Sequence, residues 1–184
     1  TSDAPAAGRA ERVRRLWVGS PLGAASESGP LVTAAAKTRV EGDIASGVSE
    51  GATLLADGRG LVVEGHEQGF YLGPTLFDHV KTDMRSYREE IFGPVLLIAR
   101  ADTYEAALAM ASNNPYGNGV SIFTRDGDTA RDFTTRVNVG MVGVNVPIPV
   151  PVASYTFGGW KQSGFGDLGQ YGADGFRFYS KTKT

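Results

Sequence analysis

Residues 94–115 read PVLLIARADTYEAALAMASNNP, and this stretch decides the fold class. Its first eight residues form a mostly apolar run of strand length. Residues 102–105 then fit a capping box, in which a side-chain oxygen and a glutamate three residues later satisfy free amides. Apolar residues recur at helical spacing over residues 104–111, and Pro115 disfavours helical geometry just before itself. The stretch therefore predicts a strand followed by a capped helix.

Strands and helices are predicted to alternate on both sides of this stretch. Helices are expected over residues 9–18, 33–47 and from Asp126 onward, extended structure over 70–80, and strands over 52–56, 120–124, 140–146 and 176–181. Strands that alternate with helices of this length are typical of an α/β fold with a substantially parallel sheet and flanking helices. The continuous apolar run at 140–146 favours a strand covered on both faces. The last strand would be an exposed edge unless a partner covered it.

The composition is that of a soluble globular protein of one ordinary domain. Hydrophobic residues make up 41% of the 184 residues, charged residues 21%, and the formal net charge is -2. This charge gives no electrostatic basis for binding nucleic acid or a membrane surface. No apolar run approaches the roughly 20 residues that cross a bilayer. We therefore expect neither nucleic acid nor membrane as a partner, and a cytoplasmic location (or the mitochondrial matrix in a eukaryote).

Thiol and metal chemistry are not indicated within these residues. The chain contains no cysteine, which excludes disulfides, thiolate metal sites and thiol nucleophiles in this stretch of polypeptide. Its two histidines, His66 and His79, have no cluster of other ligand-type residues nearby in sequence. Metal sites usually need three or four ligands, so we expect structural or surface roles for both histidines and no metal.

The hexapeptide GFGDLG at residues 164–169 matches the dinucleotide-binding pattern G-x-G-x-x-G. That pattern binds a pyrophosphate only where a strand turns into a helix, so that backbone amides and the helix N-terminus meet the ligand. The preceding residues 158–163 are not strand-like. We interpret the hexapeptide as a loop whose glycines allow tight turns.

Two other segments each leave two interpretations open. In EEIFGP at residues 89–94, the adjacent glutamates could form an ordinary solvated surface. A carboxylate beside an aromatic ring can also accept hydrogen bonds from a ribose while the ring packs against a flat heterocycle. In VPIPVPV at residues 146–152, proline predicts a stiff, extended stretch that is either a connector or the wall of a narrow pocket.

Several motifs, in the same order along the chain, resemble those of the aldehyde dehydrogenase family. They are EEIFGPV at 89–95, NPYG at 114–117 followed by SIFT at 121–124, VGVN at 142–145 and GGWKQSG at 158–164. The resemblance runs from about residue 12 to the end. The strings VPIPVPV, GFGDL and RFY, with DGRG at 57–60, resemble the CoA-acylating branch that acts on methylmalonate semialdehyde. The resemblance implies the fold of the C-terminal catalytic domain over residues 1–184.

The resemblance implies roles for five residues. Glu90 would hydrogen-bond the nicotinamide ribose of NAD, and Phe92 would pack against the nicotinamide side of that cofactor. Phe157 would line the tunnel for the aldehyde substrate, and Pro149 and Pro151 would shape its mouth. The terminal strand, at about 176–184, would lead into the sheet through which subunits associate.

The resemblance also implies a reaction for the whole enzyme and a limit for this chain. The enzyme would convert methylmalonate or malonate semialdehyde and CoA to propionyl- or acetyl-CoA and CO2, with NAD as oxidant. Its cysteine nucleophile and its N-terminal NAD-binding domain would lie upstream of Thr1. We therefore expect no catalytic residue, no activity and no tightly bound cofactor in this chain alone, and a homo-oligomer or association with the missing half.

Two alternatives stay open at this stage. The chain could be a non-catalytic association domain that keeps the fold, or a segment of a hydrolytic aldehyde dehydrogenase that uses water in place of CoA. In each case, loss of contacts with upstream polypeptide would leave apolar surface exposed, so we also expect self-association.

Overall fold

The computed structural model describes residues 3–150, 152, 154–169 and 171–184. The chain forms two compact units, Thr1–Ala101 and Asp102–Thr184. The first contains helices α1 (Asp3–Arg14), α2 (Ala34–Ser49) and α3 (Arg85–Arg88) and strands β1 (Thr53–Ala56), β2 (Thr75–Asp78) and β3 (Val95–Leu97). These strands form one sheet in the order β1-β2-β3, antiparallel between β1 and β2 and parallel between β2 and β3.

The main core of the first unit lies between α2 and the central strand β2. Val40 and Ile44 on one face of α2 are fully buried in one cluster with Phe77 of β2. Leu76 of β2 is buried in a second cluster, with Ala10 and Val13 of α1. A Cβ added at Gly47 would lie 3.1 Å from the Phe77 ring, so glycine lets helix and strand approach closely. The helix predicted at 33–47 is confirmed, and the side chain of Thr33 caps its N-terminus.

The second unit contains three helices and four short strands. They are α4 (Tyr104–Asn113), β4 (Tyr116–Gly117), β5 (Gly119–Ile122), α5 (Gly127–Arg136), β6 (Met141–Val144), β7 (Trp160–Lys161) and α6 (Ala173–Phe178). β5 and β6 pair in parallel, and β4 and β7 pair in antiparallel fashion. Leu108 of α4 and Phe133 of α5 are buried in one cluster with Val137 and Val139.

Both helices predicted in the second unit are confirmed, and Asp126 caps α5 as predicted. The capping box predicted at residues 102–105 is not formed, because the N-cap of α4 is Thr103 and the Glu105 carboxylate accepts hydrogen bonds from Arg136 instead. Thr103, inside the predicted capping box, accepts a hydrogen bond from the Ala106 amide at 3.1 Å. Asp126 accepts one from the Thr129 amide at 2.6 Å. These local side-chain contacts satisfy amides that have no partner inside the helix.

The α/β class is confirmed, and the sheets contain parallel strands as predicted, together with antiparallel pairs. Two of the four strand pairings among the described residues are parallel and two are antiparallel. The strand predicted over 140–146 is shorter, and within it only Gly143 is buried. Its apolar run therefore does not have both faces covered by the described residues.

The strand predicted over residues 176–181 is wrong. Helix α6 covers Ala173–Phe178 instead, and residues 180–184 have no regular structure. The alternation of Phe176 and Phe178 spans too few residues to fix a period, and a strand needs an adjacent edge to pair with. Local hydrogen bonds, such as that from the Tyr179 amide to the Gly175 carbonyl at 3.3 Å, satisfy the backbone instead. Whether this segment takes part in subunit association stays a prediction.

Candidate functional site

Glu90 lies on the loop between α3 and β3 in the first unit. Its neighbour Glu89 is held by Arg85, whose Nε donates a hydrogen bond to Oε2 of Glu89 at 2.7 Å. Glu90 itself is exposed, and no hydrogen bond or ion pair to its side chain is found among the described residues. The two adjacent glutamates therefore differ, since Glu89 is paired and Glu90 presents both carboxylate oxygens to solvent.

Phe92 presents its ring to solvent from a strained backbone. Its side chain is 76% exposed, and its φ is 50°, in the left-handed region that bulky side chains rarely adopt. Such a conformation costs on the order of 1–3 kcal/mol and persists only where the surroundings impose it. An exposed phenylalanine held in this way gains nothing from burial, so the observation favours a role in binding.

Both neighbours of Phe92 are held by helix α2. The Ile91 side chain is buried, and its carbonyl accepts a hydrogen bond from Arg39 Nη1 at 2.6 Å. A Cβ added at Gly93 would lie 2.8 Å from both methyl groups of Val40, so only glycine fits there without displacement. The loop that carries Glu90 and Phe92 is therefore fixed on both sides of the aromatic ring.

Phe157 lies in the second unit, on a cleft of about 710 Å³. The cleft is lined mainly by the segments 156–160 and 163–169, and Phe178 of α6 also contributes. The Phe157 ring stacks on Tyr171 with centroids 4.7 Å apart and an interplanar angle of 22°. Phe157 is thus an aromatic wall of a cavity, and its role in an aldehyde tunnel stays a prediction.

Pro149 packs against the parallel strand pair of the second unit, and Pro151 lies outside the described residues. Cβ atoms added at Gly119 and Gly143 would lie 3.4 and 3.0 Å from the Pro149 ring. The segment 146–150 is not uniformly extended as predicted, because Ile148 has a φ of 52° and accepts a hydrogen bond from the Val150 amide at 2.8 Å. This turn returns Pro149 to the strands.

Lys161 is a structurally important residue that the sequence analysis did not single out. Its Nζ donates to the carbonyls of Ser112 and Asn114, at 2.9 and 2.7 Å, where helix α4 ends. Burial lowers the pKa of the Lys161 ammonium group. A cation at a helix C-terminus satisfies free carbonyls and matches the helix dipole. The sequence feature that could have identified Lys161 was its position inside the GGWKQSG motif.

The G-x-G-x-x-G match at residues 164–169 is a loop, as interpreted from the sequence. It follows β7 and precedes α6 without a strand running directly into a helix. Gly166 has a φ of 77°, and a Cβ added at Gly164 would lie 2.2 Å from the Gly159 carbonyl oxygen. These glycines serve a tight turn and a close backbone contact.

Neither histidine belongs to the segments described above. His66 has its ring centroid 6.1 Å from that of Tyr71, and His79 lies 3.7 Å from the carboxylate of Asp78. No group of three side chains able to hold a metal occurs in the part of the chain that the structure describes. Over the same residues, no helix is long and apolar enough to cross a membrane.

The predicted site residues therefore fall into two groups by unit. Glu90 and Phe92 lie two positions apart on one anchored loop of the first unit. Pro149 and Phe157 lie in the second unit, on the strand pair and on the cleft respectively. The carboxylate and the aromatic ring of this loop were visible in the sequence, but the strain at Phe92 and the hydrogen bond from Arg39 to the Ile91 carbonyl had no sequence signal.

Comparison with known proteins decides the family. The model of the aldehyde dehydrogenase family matches residues 2–184. The chain belongs to the aldehyde dehydrogenase family. It is 53% identical over 182 residues to the malonate-semialdehyde dehydrogenase of Pseudomonas aeruginosa, which covers 99% of the chain and 37% of that relative.

Solved structures of aldehyde dehydrogenases have the same fold as this chain. A methylmalonate-semialdehyde dehydrogenase from Oceanimonas doudoroffii matches with a TM-score of 0.94 and 47% identity over 97% of the chain. A protein from Sinorhizobium meliloti 1021, assigned to the same activity and complexed with NAD, matches with a TM-score of 0.92 and 51% identity over 94% of the chain. These matches cover 37% and 35% of the solved chains, so the sequence spans just over a third of such proteins.

Proposed function

We propose that the chain is part of an NAD-dependent methylmalonate- or malonate-semialdehyde dehydrogenase and supplies the loop that holds the nicotinamide end of NAD. The observation that carries this proposal is the anchored loop, which presents a free carboxylate at Glu90 and an exposed, strained aromatic ring at Phe92. The Sinorhizobium meliloti protein complexed with NAD, 51% identical to this chain, supports the choice of cofactor.

The residues on this loop fit a nicotinamide nucleoside. A carboxylate has two acceptor oxygens, so Glu90 can receive hydrogen bonds from neighbouring ribose hydroxyls. The face of the Phe92 ring can pack against a flat heterocycle or its ribose. When bound, NAD supplies an acceptor for the hydride that leaves the aldehyde carbon. The residues of this chain bind and orient it, and they provide no thiol nucleophile.

The proposed acyl acceptor is CoA. The whole enzyme would convert the semialdehyde, CoA and NAD to acetyl- or propionyl-CoA, CO2 and NADH. The thiol that attacks the aldehyde and then carries the acyl group must come from polypeptide outside these 184 residues, since they contain no cysteine. We therefore expect the chain alone to be inactive and to bind no cofactor tightly.

The first experiment is the intact mass of the protein purified from its source, compared with the 19.4 kDa of this sequence. A mass roughly three times larger, as expected from the coverage of the relatives, permits an assay of NADH formation from methylmalonate semialdehyde with and without CoA. Activity that requires both NAD and CoA supports the proposal. Activity without CoA indicates a hydrolytic enzyme instead.

A mass of 19.4 kDa would favour the alternative that this chain is a non-catalytic association domain. In that case the purified chain would form no NADH even with CoA and substrate present. If a separate cysteine-bearing polypeptide from the same source restored activity, the proposed enzyme would consist of two chains.

A further inference from the structure

A buried carboxylate on helix α2 lies behind the loop that carries Glu90 and Phe92. Asp43 is 8% exposed, and each of its oxygens contacts a different arginine. Oδ2 lies 3.1 Å from Arg39 Nη1, and Oδ1 lies 3.0 Å from Arg85 Nη2. A buried charge is costly unless it is paired and hydrogen-bonded, and Asp43 meets that condition through these two arginines.

The two arginines extend from Asp43 to the residues on either side of Glu90. Arg39 Nη1 also donates to the Ile91 carbonyl at 2.6 Å, on one side of Glu90. Arg85 Nε donates to the Glu89 carboxylate at 2.7 Å, on the other side. Glu90 is therefore flanked by two residues whose positions depend on guanidinium groups that share one carboxylate.

The same helix also fixes the residue that follows Phe92. Val40 is fully buried one position after Arg39, and its methyl groups leave no room for a Cβ at Gly93. The positive φ of Phe92 thus lies between a hydrogen-bonded carbonyl at Ile91 and a close packing contact at Gly93. Strain of this kind is maintained only when the surroundings over-determine it.

We propose that Asp43 is a positioning residue for the Glu90–Phe92 loop and acts through Arg39 and Arg85. Asp43 orients both guanidinium groups, and they hold Glu89 and Ile91 so that Glu90 and Phe92 face solvent in one fixed geometry. The consequence for cofactor binding rests on the proposed function of Glu90 and Phe92. The structural part of the proposal, that Asp43 fixes the loop, is independent of that function.

The structural part is tested by hydrogen exchange on the 184-residue chain. Asp43→Asn keeps the shape of the side chain and removes its charge. We expect the hydrogen-bonded amides of this segment, those of Glu89 and Val95, to exchange about tenfold faster, since hydrogen bonds to charged groups stabilise by that order. Exchange in β1 should not accelerate. Asp132→Asn is the matched control, because Asp132 pairs with Arg136 four residues later at 2.9 Å in the other unit. It should leave residues 89–95 unchanged.

A second variant guards against simple loss of fold. The Arg39 side chain is 44% exposed, so Arg39→Gln removes its contacts with less risk to the core. It should also speed exchange at the amides of Glu89 and Val95. The double variant with Asp43→Asn should add less than the sum of the two, because both act on one network. Unchanged loop exchange in Asp43→Asn, or equal acceleration in β1, would overturn the inference.

The functional part is tested in the longest polypeptide that the source makes from this sequence. Asp43→Asn should raise KM for NAD about tenfold, while KM for the aldehyde changes little. Phe92→Ala should have the same two effects. If Phe92→Ala raises KM for NAD and Asp43→Asn does not, Asp43 is not a positioning residue and the proposed function stands. If loop exchange accelerates but neither variant alters KM for NAD, the proposed function fails and the structural role of Asp43 stands.

Discussion

At the scale of single residues, Phe92 shows how an unfavourable conformation can indicate a binding role. Its ring is exposed and its backbone lies in a region that side chains with a Cβ rarely adopt. Neither feature stabilises the fold, and both are maintained by contacts from α2. Replacing Phe92 with glycine and with alanine separates the effect of backbone strain on stability from the effect of losing the ring.

We predict that Phe92→Gly is more stable than Phe92→Ala by about 1 kcal/mol. Both substitutions remove the ring, but only glycine removes the steric penalty of positive φ, and this gain exceeds its greater flexibility in the unfolded chain. Urea denaturation of the two variants measures the difference. Equal stability would mean that residue 92 is not held at positive φ in solution. Both variants should weaken NAD binding equally in the complete enzyme.

In the second unit, the side chain of Lys161 donates hydrogen bonds to two carbonyls at the end of helix α4. We predict that Lys161→Met lowers the free energy of unfolding by about 1–3 kcal/mol, because two carbonyls at the end of α4 lose their donor. Lys181→Met, at an exposed position near the C-terminus, is the control and should change stability little. Urea denaturation followed by circular dichroism compares them. A Lys161→Met variant as stable as the control would show that water replaces these bonds.

At the scale of elements, β2 carries a pH-sensitive ion pair. Asp78 is buried at the end of β2 and lies 2.5 Å from Arg100, beyond β3. The hydrogen bond from Arg100, aided by the His79 amide, lowers the pKa of Asp78 to about 2, although burial opposes the shift. Because the folded pKa lies below that of the unfolded chain, the stabilisation is complete above about pH 4 and is lost as the pH falls towards 2.

We therefore predict that the free energy of unfolding falls by about 2 kcal/mol between pH 5 and pH 2 because of Asp78. Asp78→Asn should be less stable at pH 6 and should lack this part of the pH dependence. Denaturant titrations at several pH values compare the two proteins. Parallel pH profiles for the two would show that Asp78 is not the group responsible.

The elements also show where sequence reasoning succeeds and where it stops. Helices α2, α4 and α5 were predictable because local caps and apolar periodicity both occur within the segment. Helix α6 was missed because the alternation of Phe176 and Phe178 is too short to distinguish a strand from a short helix. The Arg39–Ile91 hydrogen bond joins residues 52 positions apart and lies next to the residue with the positive φ, Phe92, so no local pattern could reveal this arrangement. The carboxylate and aromatic of the loop were visible in sequence, but their geometry was not.

At the scale of the whole molecule, the chain exposes large apolar side chains that a stable monomer usually covers. Phe165, Phe176 and Tyr179 are 93%, 83% and 79% exposed, and all three lie near the C-terminal end of the sequence. The chain also spans only about 37% of the length of the Pseudomonas aeruginosa relative. Where exposed apolar side chains form a contiguous patch, that patch marks a surface that is buried against protein.

We predict that the 184-residue chain self-associates in a concentration-dependent way. Burial of apolar surface favours association by roughly 25 cal/mol per Å², so light scattering coupled to size-exclusion chromatography should give masses above 19.4 kDa as concentration rises. The double variant Phe165→Ser and Phe176→Ser should shift the mass towards the monomer, because it removes two exposed rings. Leu22→Ser, at another highly exposed apolar position, tests whether any exposed side chain suffices. A monomeric chain at every concentration would show that these rings are too dispersed to form an interface without further polypeptide.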